Sequence, residues 1–388
     1  MAANTNATQS IMEINVLMLG GRRCGKTSIL AAMQECFDNM FGKTDLTIAP
    51  ADVETMMKLD EKREELKSYY MKDKYFIPDD NPTSEINEYS FYISLKSKKS
   101  SRVKLKFTDI NGEFMDDSSK IDFDNGEVAN LVKEADVIMV AIDTPYLMEA
   151  LPDDDIESVG LYNNRKNKCT QIDGLIKNCF QTDENSREKM ILFVPLKCEK
   201  YYWNRSAGNP FPNDLAITAI RLKSAFKNLM DYLTQENNRR CYEVAITPIM
   251  TMGNVVFSGF KREINKDTGE REYIMNTKFN YPSQAEYNVR DTASQDKVTK
   301  PAPQFCEQPF IYVILYMLRL TQKQLSAKEK SGGIFGAIVN TAKRMLGYAF
   351  AEDFAAQETT LLSNIKTNRP PHQECGFEII SDPIRLEY

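Results

Sequence analysis

The sequence predicts a doubly wound α/β fold, in which a mostly parallel β-sheet has helices on both faces and one strand runs antiparallel. Three observations support this class. Strand-like apolar runs alternate with helical stretches along most of the chain. The first run, 11–19, leads through a glycine-containing loop into a helix over 28–41. The runs 136–143, 189–196 and 242–249 are mainly apolar, as buried parallel strands are.

The loop after the first strand carries a phosphate-binding motif. Gly20, Gly25, Lys26 and Thr27 complete the pattern G-x-x-x-x-G-K-[ST] between a strand and a helix. We expect the loop N–H groups to cradle the α- and β-phosphates, Lys26 to reach the β- and γ-phosphates, and Thr27 to bind Mg²⁺. The predicted nucleotide-binding residues of the loop are Gly20, Gly21, Arg23, Cys24, Gly25, Lys26, Thr27 and Ser28. The fold prediction is therefore that of a P-loop NTPase.

A hairpin follows the first helices. A helical stretch over 52–74 precedes two alternating runs, 88–96 and 102–109, which are joined by the short polar segment 97–101. One of these two strands must run antiparallel to the other. An all-parallel ATPase sheet would place a crossover helix between them, so the hairpin favours the GTPase class.

Two further motifs follow predicted strands. Asp109–Gly112 (DING) fits D-x-x-G, with Asp109 holding Mg²⁺ through water and the Gly112 N–H at the γ-phosphate; an ordinary Asn-Gly turn is the alternative. Leu196–Glu199 (LKCE) lies where GTPases carry [NT]-K-x-D. There Lys197 would lie along the purine and Glu199 would accept hydrogen bonds from guanine. A charged surface turn is the alternative.

Together these motifs resemble a TRAFAC (Ras-like) P-loop GTPase over about residues 11–324. A finer resemblance, through the segment Cys306–Pro309 before an apolar helix and the enlarged region before Glu88, is to bacterial conflict-system proteins called double-GTPases. The class implies GTP or GDP with Mg²⁺, and a threonine that senses the γ-phosphate. Thr83 is the candidate, so the predicted metal ligands are Thr27, Thr83 and Asp109. A turn or helix-capping role is the alternative for Thr83.

The predicted catalytic residues are Lys26, Glu113, Arg22 and Arg23. Glu113 follows the D-x-x-G glycine, where Ras-like enzymes carry a water-orienting glutamine. A carboxylate adds like charge near the γ-phosphate, so we expect slow hydrolysis. Arg22 and Arg23 replace glycines of many small GTPases. Three roles are open to them: obstruction of a partner's arginine finger, supply of positive charge within the chain or across a dimer, and simple exposure to solvent.

The composition is that of a folded globular protein. Hydrophobic residues make up 42% and charged residues 27%, and the formal net charge of -6 argues against a nucleic-acid partner. The eight cysteines form no C-x-x-C pair and His372 is the only histidine, which argues against zinc sites and histidine-dependent hydrolases. Residues 1–10 are polar without a signal sequence, and no apolar run spans a membrane, so we expect a cytoplasmic location.

The predicted organisation is a flexible N-terminus (1–10), a GTPase-like domain (11–324) and a C-terminal amphipathic helix with a tail (325–388). Within the domain we expect an enlarged first switch region over 42–87 and an inserted hairpin and loop over 259–303. The apolar stripe over 334–350 fits a helix that packs on the domain; binding of a protein partner and attachment to a membrane surface are alternatives.

The sequence favours a Mg²⁺-dependent guanine-nucleotide switch with slow hydrolysis that regulates an unidentified protein partner. An ATPase on the same fold and a non-hydrolysing nucleotide-binding scaffold are the alternatives.

Overall fold

The computed structural model describes thirteen stretches of the chain and the single residue 319. The stretches are residues 12–41, 45–71, 75–76, 86–97, 102–115, 126–149, 156–182, 188–202, 215–253, 255–264, 271–279, 303–317 and 377–382. The predicted N-terminal segment 1–10, the candidate ligand Thr83 and the predicted helix over 334–350 lie outside these residues.

Two β-sheets form within the described residues. The strands are β1 (Met12–Gly20), β2 (Leu46–Pro50), β3 (Tyr75–Phe76), β4 (Asn87–Leu95), β5 (Arg102–Asp109), β6 (Val137–Asp143), β7 (Lys189–Leu196), β8 (Tyr242–Ile246), β9 (Val255–Ile264), β10 (Arg271–Phe279) and β11 (Glu378–Ser381). The larger sheet has eight strands in the order β11-β8-β7-β6-β1-β5-β4-β2, and the smaller sheet has the order β3-β10-β9.

Most helices connect strands of the larger sheet along the chain. They are α1 (Lys26–Phe41), α2 (Val53–Met71), α3 (Glu127–Glu134), α4 (Thr144–Met148), α5 (Ile156–Asn167), α6 (Cys169–Thr182), α7 (Glu199–Tyr202), α8 (Leu215–Ala225), α9 (Lys227–Leu233) and α10 (308–317).

The middle of the larger sheet is parallel. Strand β1 pairs with β5 on one side and β6 on the other, and β7 and β8 continue beyond β6. Strands β6 and β7 are buried along their whole length, because helices cover both faces. The antiparallel pairing of β4 with β5 confirms the predicted hairpin. The structure adds a second antiparallel strand, β11, at the edge next to β8.

Alternation along β1 divides its side chains between two cores. Val16 and Met18 pack with α1 and α10 on one face, whereas Leu17 and Leu19 pack with α3, α6 and α9 on the other. The apolar helix predicted to begin at Pro309 forms α10, and the ring centroid of its Phe310 lies 5.0 Å from that of Phe107 in β5. This helix therefore closes the first core.

Two predicted boundaries require correction. The amphipathic spacing over 215–237 predicts one helix, whereas the structure has two, α8 and α9. They are separated at Phe226, which is fully buried and has a non-helical backbone conformation. The segment 325–388, predicted as a helix and tail outside the domain, contributes β11 to the central sheet. Pairing between strands this distant in sequence leaves no local signal.

The region predicted as an enlarged first switch contains more regular structure than its helix. It holds the edge strand β2, the helix α2 and the short strand β3. The predicted inserted hairpin is present as β9 and β10, and β10 pairs with β3. The two insertions therefore form one small sheet together. The acidic residues 153–155 predict a loop after the run 136–143, and the sequence patterns above do not predict the helices α5 and α6 that follow it.

No helix in the described part of the chain is long and apolar enough to cross a membrane.

Candidate functional site

The phosphate-binding loop joins β1 to α1 through backbone conformations that require glycine. Gly20 has φ 154° and Gly25 has φ 104°, a region that side chains with a Cβ rarely adopt. Space is also limited at Gly20, since a Cβ there would lie 2.7 Å from the Ala141 carbonyl oxygen of β6. The neighbouring strand thus fixes the start of the loop.

Lys26 begins α1 and is buried, with 6% of its surface exposed. Its ammonium donates to the carbonyl oxygens of Gly20 and Gly21, each at 3.3 Å. These long hydrogen bonds hold the Lys26 ammonium against the loop that, according to the motif, binds phosphates. A buried ammonium needs anionic or strong acceptors, and phosphate oxygens supply both.

Thr27 and Asp109 form the second part of the site. The register of β1 against β5 places Met18 opposite Asp109, so the carboxylate lies at the same end of the sheet as the loop. The Thr27 hydroxyl donates to Asp109 Oδ2 at 2.6 Å, whereas Asp109 Oδ1 is buried without a hydrogen-bond partner among the described residues. Burial raises the pKa of the Asp109 carboxyl, while Lys26 and Thr27 oppose the rise.

The donors of this pair fit Mg²⁺. The ion prefers oxygen ligands and commonly binds through one or two protein groups, several waters and substrate phosphates. A hydroxyl and a buried carboxylate with an unpaired oxygen match that requirement. Elsewhere in the described residues no group of three or more His, Cys, Asp or Glu side chains has the geometry for a metal ion.

Tyr89 of β4 belongs to the same cluster and is not predicted by the sequence. Its side chain is 3% exposed and makes a hydrogen bond with Thr27. Burial raises the pKa of the Tyr89 hydroxyl, and the nearby Asp109 charge raises it further. In the sequence Tyr89 is only one aromatic residue of a predicted strand, because its contact with Thr27 depends on the β4–β5 pairing.

The D-x-x-G segment lies directly against the phosphate-binding loop. Asn111 accepts a hydrogen bond from the Glu113 N–H at 2.9 Å through its side chain and so begins the short 3-10 turn Gly112–Met115. A Cβ on Gly112 would lie 2.3 Å from the backbone nitrogen of Arg22, so only glycine permits this approach of the two backbones. The structure thus brings the two predicted phosphate-contacting segments together.

The side chains of Arg22 and Glu113 form an ion pair at 3.0 Å, and each is 45% exposed. This pair links the phosphate-binding loop to the D-x-x-G turn. The three roles predicted for Arg22 stay open, since among the described residues its half-exposed side chain is engaged only by Glu113 in this ion pair. Arg23 takes a left-handed conformation with φ 60° and accepts a hydrogen bond through its carbonyl.

The remaining loop residues pack around these groups. Cys24 and Ser28 are buried, and burial raises the pKa of the Cys24 thiol. A Cβ added at Gly25 would lie 3.6 Å from Leu196 Cδ1, so the first residue of the LKCE segment packs on the loop.

Lys197 connects three elements. Its ammonium donates to Asp143 Oδ2 at 2.6 Å and to the Arg23 carbonyl at 3.2 Å. Asp143 ends β6, and its backbone N–H donates to Asn167 Oδ1 at 2.7 Å. Asp143 and Asn167 are functional candidates that motif reading missed, since neither belongs to a recognisable pattern.

Glu199 is placed differently from the prediction. Its side chain is 4% exposed, and Oε1 accepts hydrogen bonds from the backbone N–H groups of Met252 at 3.0 Å and Gly253 at 3.2 Å. Burial raises the pKa of this carboxyl, and the backbone donors oppose the rise. The carboxylate therefore braces the loop after β8, and the predicted contact with guanine would require these bonds to break.

Comparison with known proteins agrees with this site. The profile of the Double-GTPase 2 family matches residues 14–228, which is more than half of the 388 residues. The fold and the site define a P-loop protein of the GTPase type. The chain belongs to the Double-GTPase 2 family. A comparison with curated protein sequences finds no match.

Solved structures with similar folds include two of the Saccharomyces cerevisiae Ski7 GTPase-like domain. The GTP-bound form has 13% identity and a TM-score of 0.36, and the match covers 69% of this chain and 47% of that one. The form with GDP and inorganic phosphate has 12% identity and a TM-score of 0.29, with 63% and 44% covered. Sup35 complexed with GDP has 11% identity and a TM-score of 0.22, with 65% and 40% covered. The chain spans less than half the length of each.

Gly21→Ala tests the fit between the loop and α5. A Cβ at Gly21 would lie 1.9 Å from the Lys166 carbonyl oxygen, so the backbones must separate. We expect a loss of about 1–3 kcal/mol in the free energy of unfolding, measured by urea denaturation. Gly126→Ala is the control because Gly126 has an extended backbone open to alanine, and it should cost no more than about 1 kcal/mol. Equal losses in the two variants would contradict this close approach.

Proposed function

We propose that this protein is a Mg²⁺-dependent guanine-nucleotide switch with slow GTP hydrolysis that regulates a protein partner. The observation that carries the proposal is the joint placement of Lys26, Thr27 and Asp109 at one end of the sheet, in a chain of the Double-GTPase 2 family. A role in a bacterial defence system is part of the proposal and is supported by the sequence resemblance.

Each group has a distinct task with bound GTP. Lys26 neutralises the β- and γ-phosphates, and the backbone N–H groups from Gly21 to Lys26 donate hydrogen bonds to the phosphate oxygens. Thr27 would hold Mg²⁺ directly and Asp109 would hold it through water, with Thr83 as a further proposed ligand. The ion would neutralise charge on the transferred phosphoryl group. The Gly112 N–H meets the γ-phosphate.

Hydrolysis proceeds by in-line attack of water on the γ-phosphorus. Glu113 lies next to Gly112, but it is an anion engaged by Arg22 rather than a neutral amide. Glu113 orients water either after it leaves that ion pair or while the pair stays in place. If it leaves, the exposed Arg22 side chain is free to approach the negative charge that develops on the γ-phosphate. Both arrangements are less efficient than a fixed glutamine, which supports a slow rate.

Family membership supports the guanine preference, and the position of Lys197 supports binding of a purine base. The lysine stem is placed at the end of β7, next to the phosphate-binding loop, where it would lie along a purine face. We propose that Glu199 contributes through the loop 250–253, which it braces, rather than by direct contact with the base.

The small sheet supports a conformational output. Strand β3 lies in the connection that also contains Thr83, and it pairs with β10 of the inserted hairpin. Midway along the hairpin, the Phe260 ring stacks on Tyr146 of α4 at 4.9 Å between centroids. A change in the first switch region therefore reaches the hairpin through backbone hydrogen bonds. We propose this hairpin as the surface that reports the nucleotide state to the partner.

Nucleotide competition with a fluorescent GDP analogue tests the class of ligand. We expect GTP and GDP to compete at least tenfold better than ATP in Mg²⁺, and Lys26→Ala to abolish binding because it removes the phosphate-facing charge. Lys104→Ala, on the exposed side of β5, is the control and should bind normally. Better competition by ATP would identify an ATPase, and binding that survives Lys26→Ala would exclude the phosphate-loop assignment.

Glu199→Ala separates bracing from base reading. A brace predicts a lower thermal midpoint, since two buried backbone donors lose their acceptor, with an unchanged ratio of GTP to ATP affinity. Base reading predicts a ratio that falls toward one. The measurements are thermal unfolding and the same competition assay.

Hydrogen exchange tests the switch. We expect β9 and β10 to exchange at different rates with GDP and with a non-hydrolysable GTP analogue, because β3 links them to the switch region. The central strand β7 is the internal control and should exchange alike in both states. Identical exchange throughout 45–115 and 255–279 would instead support a rigid nucleotide-binding scaffold.

A further inference from the structure

Strained backbone is concentrated beside the phosphate-binding loop. Among the described residues, the non-glycine residues with positive φ are Arg23 (60°), Lys168 (55°), Lys197 (59°) and Phe305 (61°). Side chains with a Cβ disfavour this region, and such conformations persist where surrounding contacts hold them. The first three lie along one connected series of contacts.

Asp143 is at the centre of that series. Its Oδ2 accepts a hydrogen bond from the Lys197 ammonium at 2.6 Å, and the same ammonium donates a hydrogen bond to the Arg23 carbonyl oxygen at 3.2 Å. The Asp143 backbone is held by Asn167, which accepts the Asp143 N–H at 2.7 Å and donates to the Asp143 carbonyl at 3.1 Å. Lys168 follows directly, at the junction of α5 and α6.

The charge pair is well protected from solvent. The Asp143 side chain is 5% exposed and that of Lys197 is 22% exposed. Opposite charges interact strongly in such surroundings, and removing one partner leaves the other uncompensated. A lysine side chain has four rotatable carbon bonds, so its ammonium stays in one place only when an acceptor fixes it. Here that acceptor is the Asp143 carboxylate.

We propose that Asp143 is a positioning residue of the nucleotide site, which holds Lys197 on the Arg23 carbonyl and so keeps the phosphate-binding loop in its strained shape. This rests on the proposed function, since a nucleotide is the ligand that the shape serves. A loop fixed before binding does not lose conformational entropy on binding, and affinity gains by that amount. Asn167 extends the same support to α5 and α6.

A buried ion pair elsewhere in the sheet provides a matched control. Glu243 of β8 is fully buried and pairs with Arg319, which is 6% exposed, at 3.4 Å. Neither residue contacts the phosphate-binding loop in any hydrogen bond or ion pair that the structure gives for it. Neutralising Glu243 therefore reports the cost of losing a buried charge without a change at the site.

The experiment compares Asp143→Asn, Lys197→Met, their double variant and Glu243→Gln in the full chain. Asparagine keeps the size of the side chain and removes its charge. The readouts are the Kd of a fluorescent GDP analogue, amide exchange of residues 20–27 without nucleotide, and the thermal midpoint. We expect Asp143→Asn to raise the Kd about tenfold and to speed exchange in the loop. The double variant should bind no worse than Lys197→Met alone, because both changes remove one bridge. Glu243→Gln should lower the midpoint only.

Two results would overturn the proposal. One is additive loss of affinity in the double variant, which would mean that Asp143 acts independently of Lys197. The other is unchanged Kd and loop exchange in a folded Asp143→Asn protein. If the wild-type chain fails to bind guanine nucleotide, the proposed function is wrong. Exchange of the loop, measured without nucleotide, still decides the role of Asp143.

Discussion

Parallel pairing of β1 with β5 and β6 is the constraint on which the site depends. The register sets Met18 opposite Asp109 and Gly20 opposite Ala141, so the loop, the carboxylate and the end of β6 meet at one edge. Strand β7 extends this edge, and Lys197 follows directly after it. Carboxyl ends of parallel strands meet on the same side of a sheet, where doubly wound folds bind their ligands. A register shift of one residue would separate Thr27 from Asp109.

Two buried carboxylates at this edge are neutralised in different ways. Asp143 has an ammonium of its own chain at 2.6 Å, so its charge is balanced within the protein. Asp109 has the Thr27 hydroxyl on one oxygen and no hydrogen-bond partner among the described residues on the other. Burying a carboxylate is costly unless it is paired. Asp143 Oδ1 also has no hydrogen-bond partner among the described residues, so the two carboxylates differ in the group on Oδ2: a lysine ammonium at Asp143 and a hydroxyl at Asp109.

Local sequence patterns predict the parts of the fold that depend on neighbouring residues. The loop, α1, the β4–β5 hairpin and β7 follow from spacing and apolar runs over short stretches. Helix α5 has three asparagines and a glycine in twelve residues, which are poor helix formers, so tertiary packing must select its conformation.

The residues of the site also divide into those that local motifs predict and those that depend on tertiary contacts. Motif spacing is enough to find Lys26, Thr27 and Asp109, because each is fixed by its position after a strand. Tyr89 and Asn167 reach the site through pairing and packing that no motif records. Glu199 shows the opposite case: its position in the LKCE segment predicts contact with the base, whereas in the structure its buried carboxylate accepts hydrogen bonds from backbone amides.

The two sides of the phosphate-binding loop differ in how easily they can move. On the Asp143 side the contacts are buried, charged and joined to α5, so displacement exposes an unpaired charge. On the D-x-x-G side the contacts are the close approach of Gly112 to Arg22 and one half-exposed ion pair, which is worth about 0–1 kcal/mol. In the proposed function, a γ-phosphate near the Gly112 N–H would meet this weakly held side of the loop. Binding energy would then be available to move the D-x-x-G turn while the opposite wall stays fixed, which is the asymmetry that the proposed switch requires.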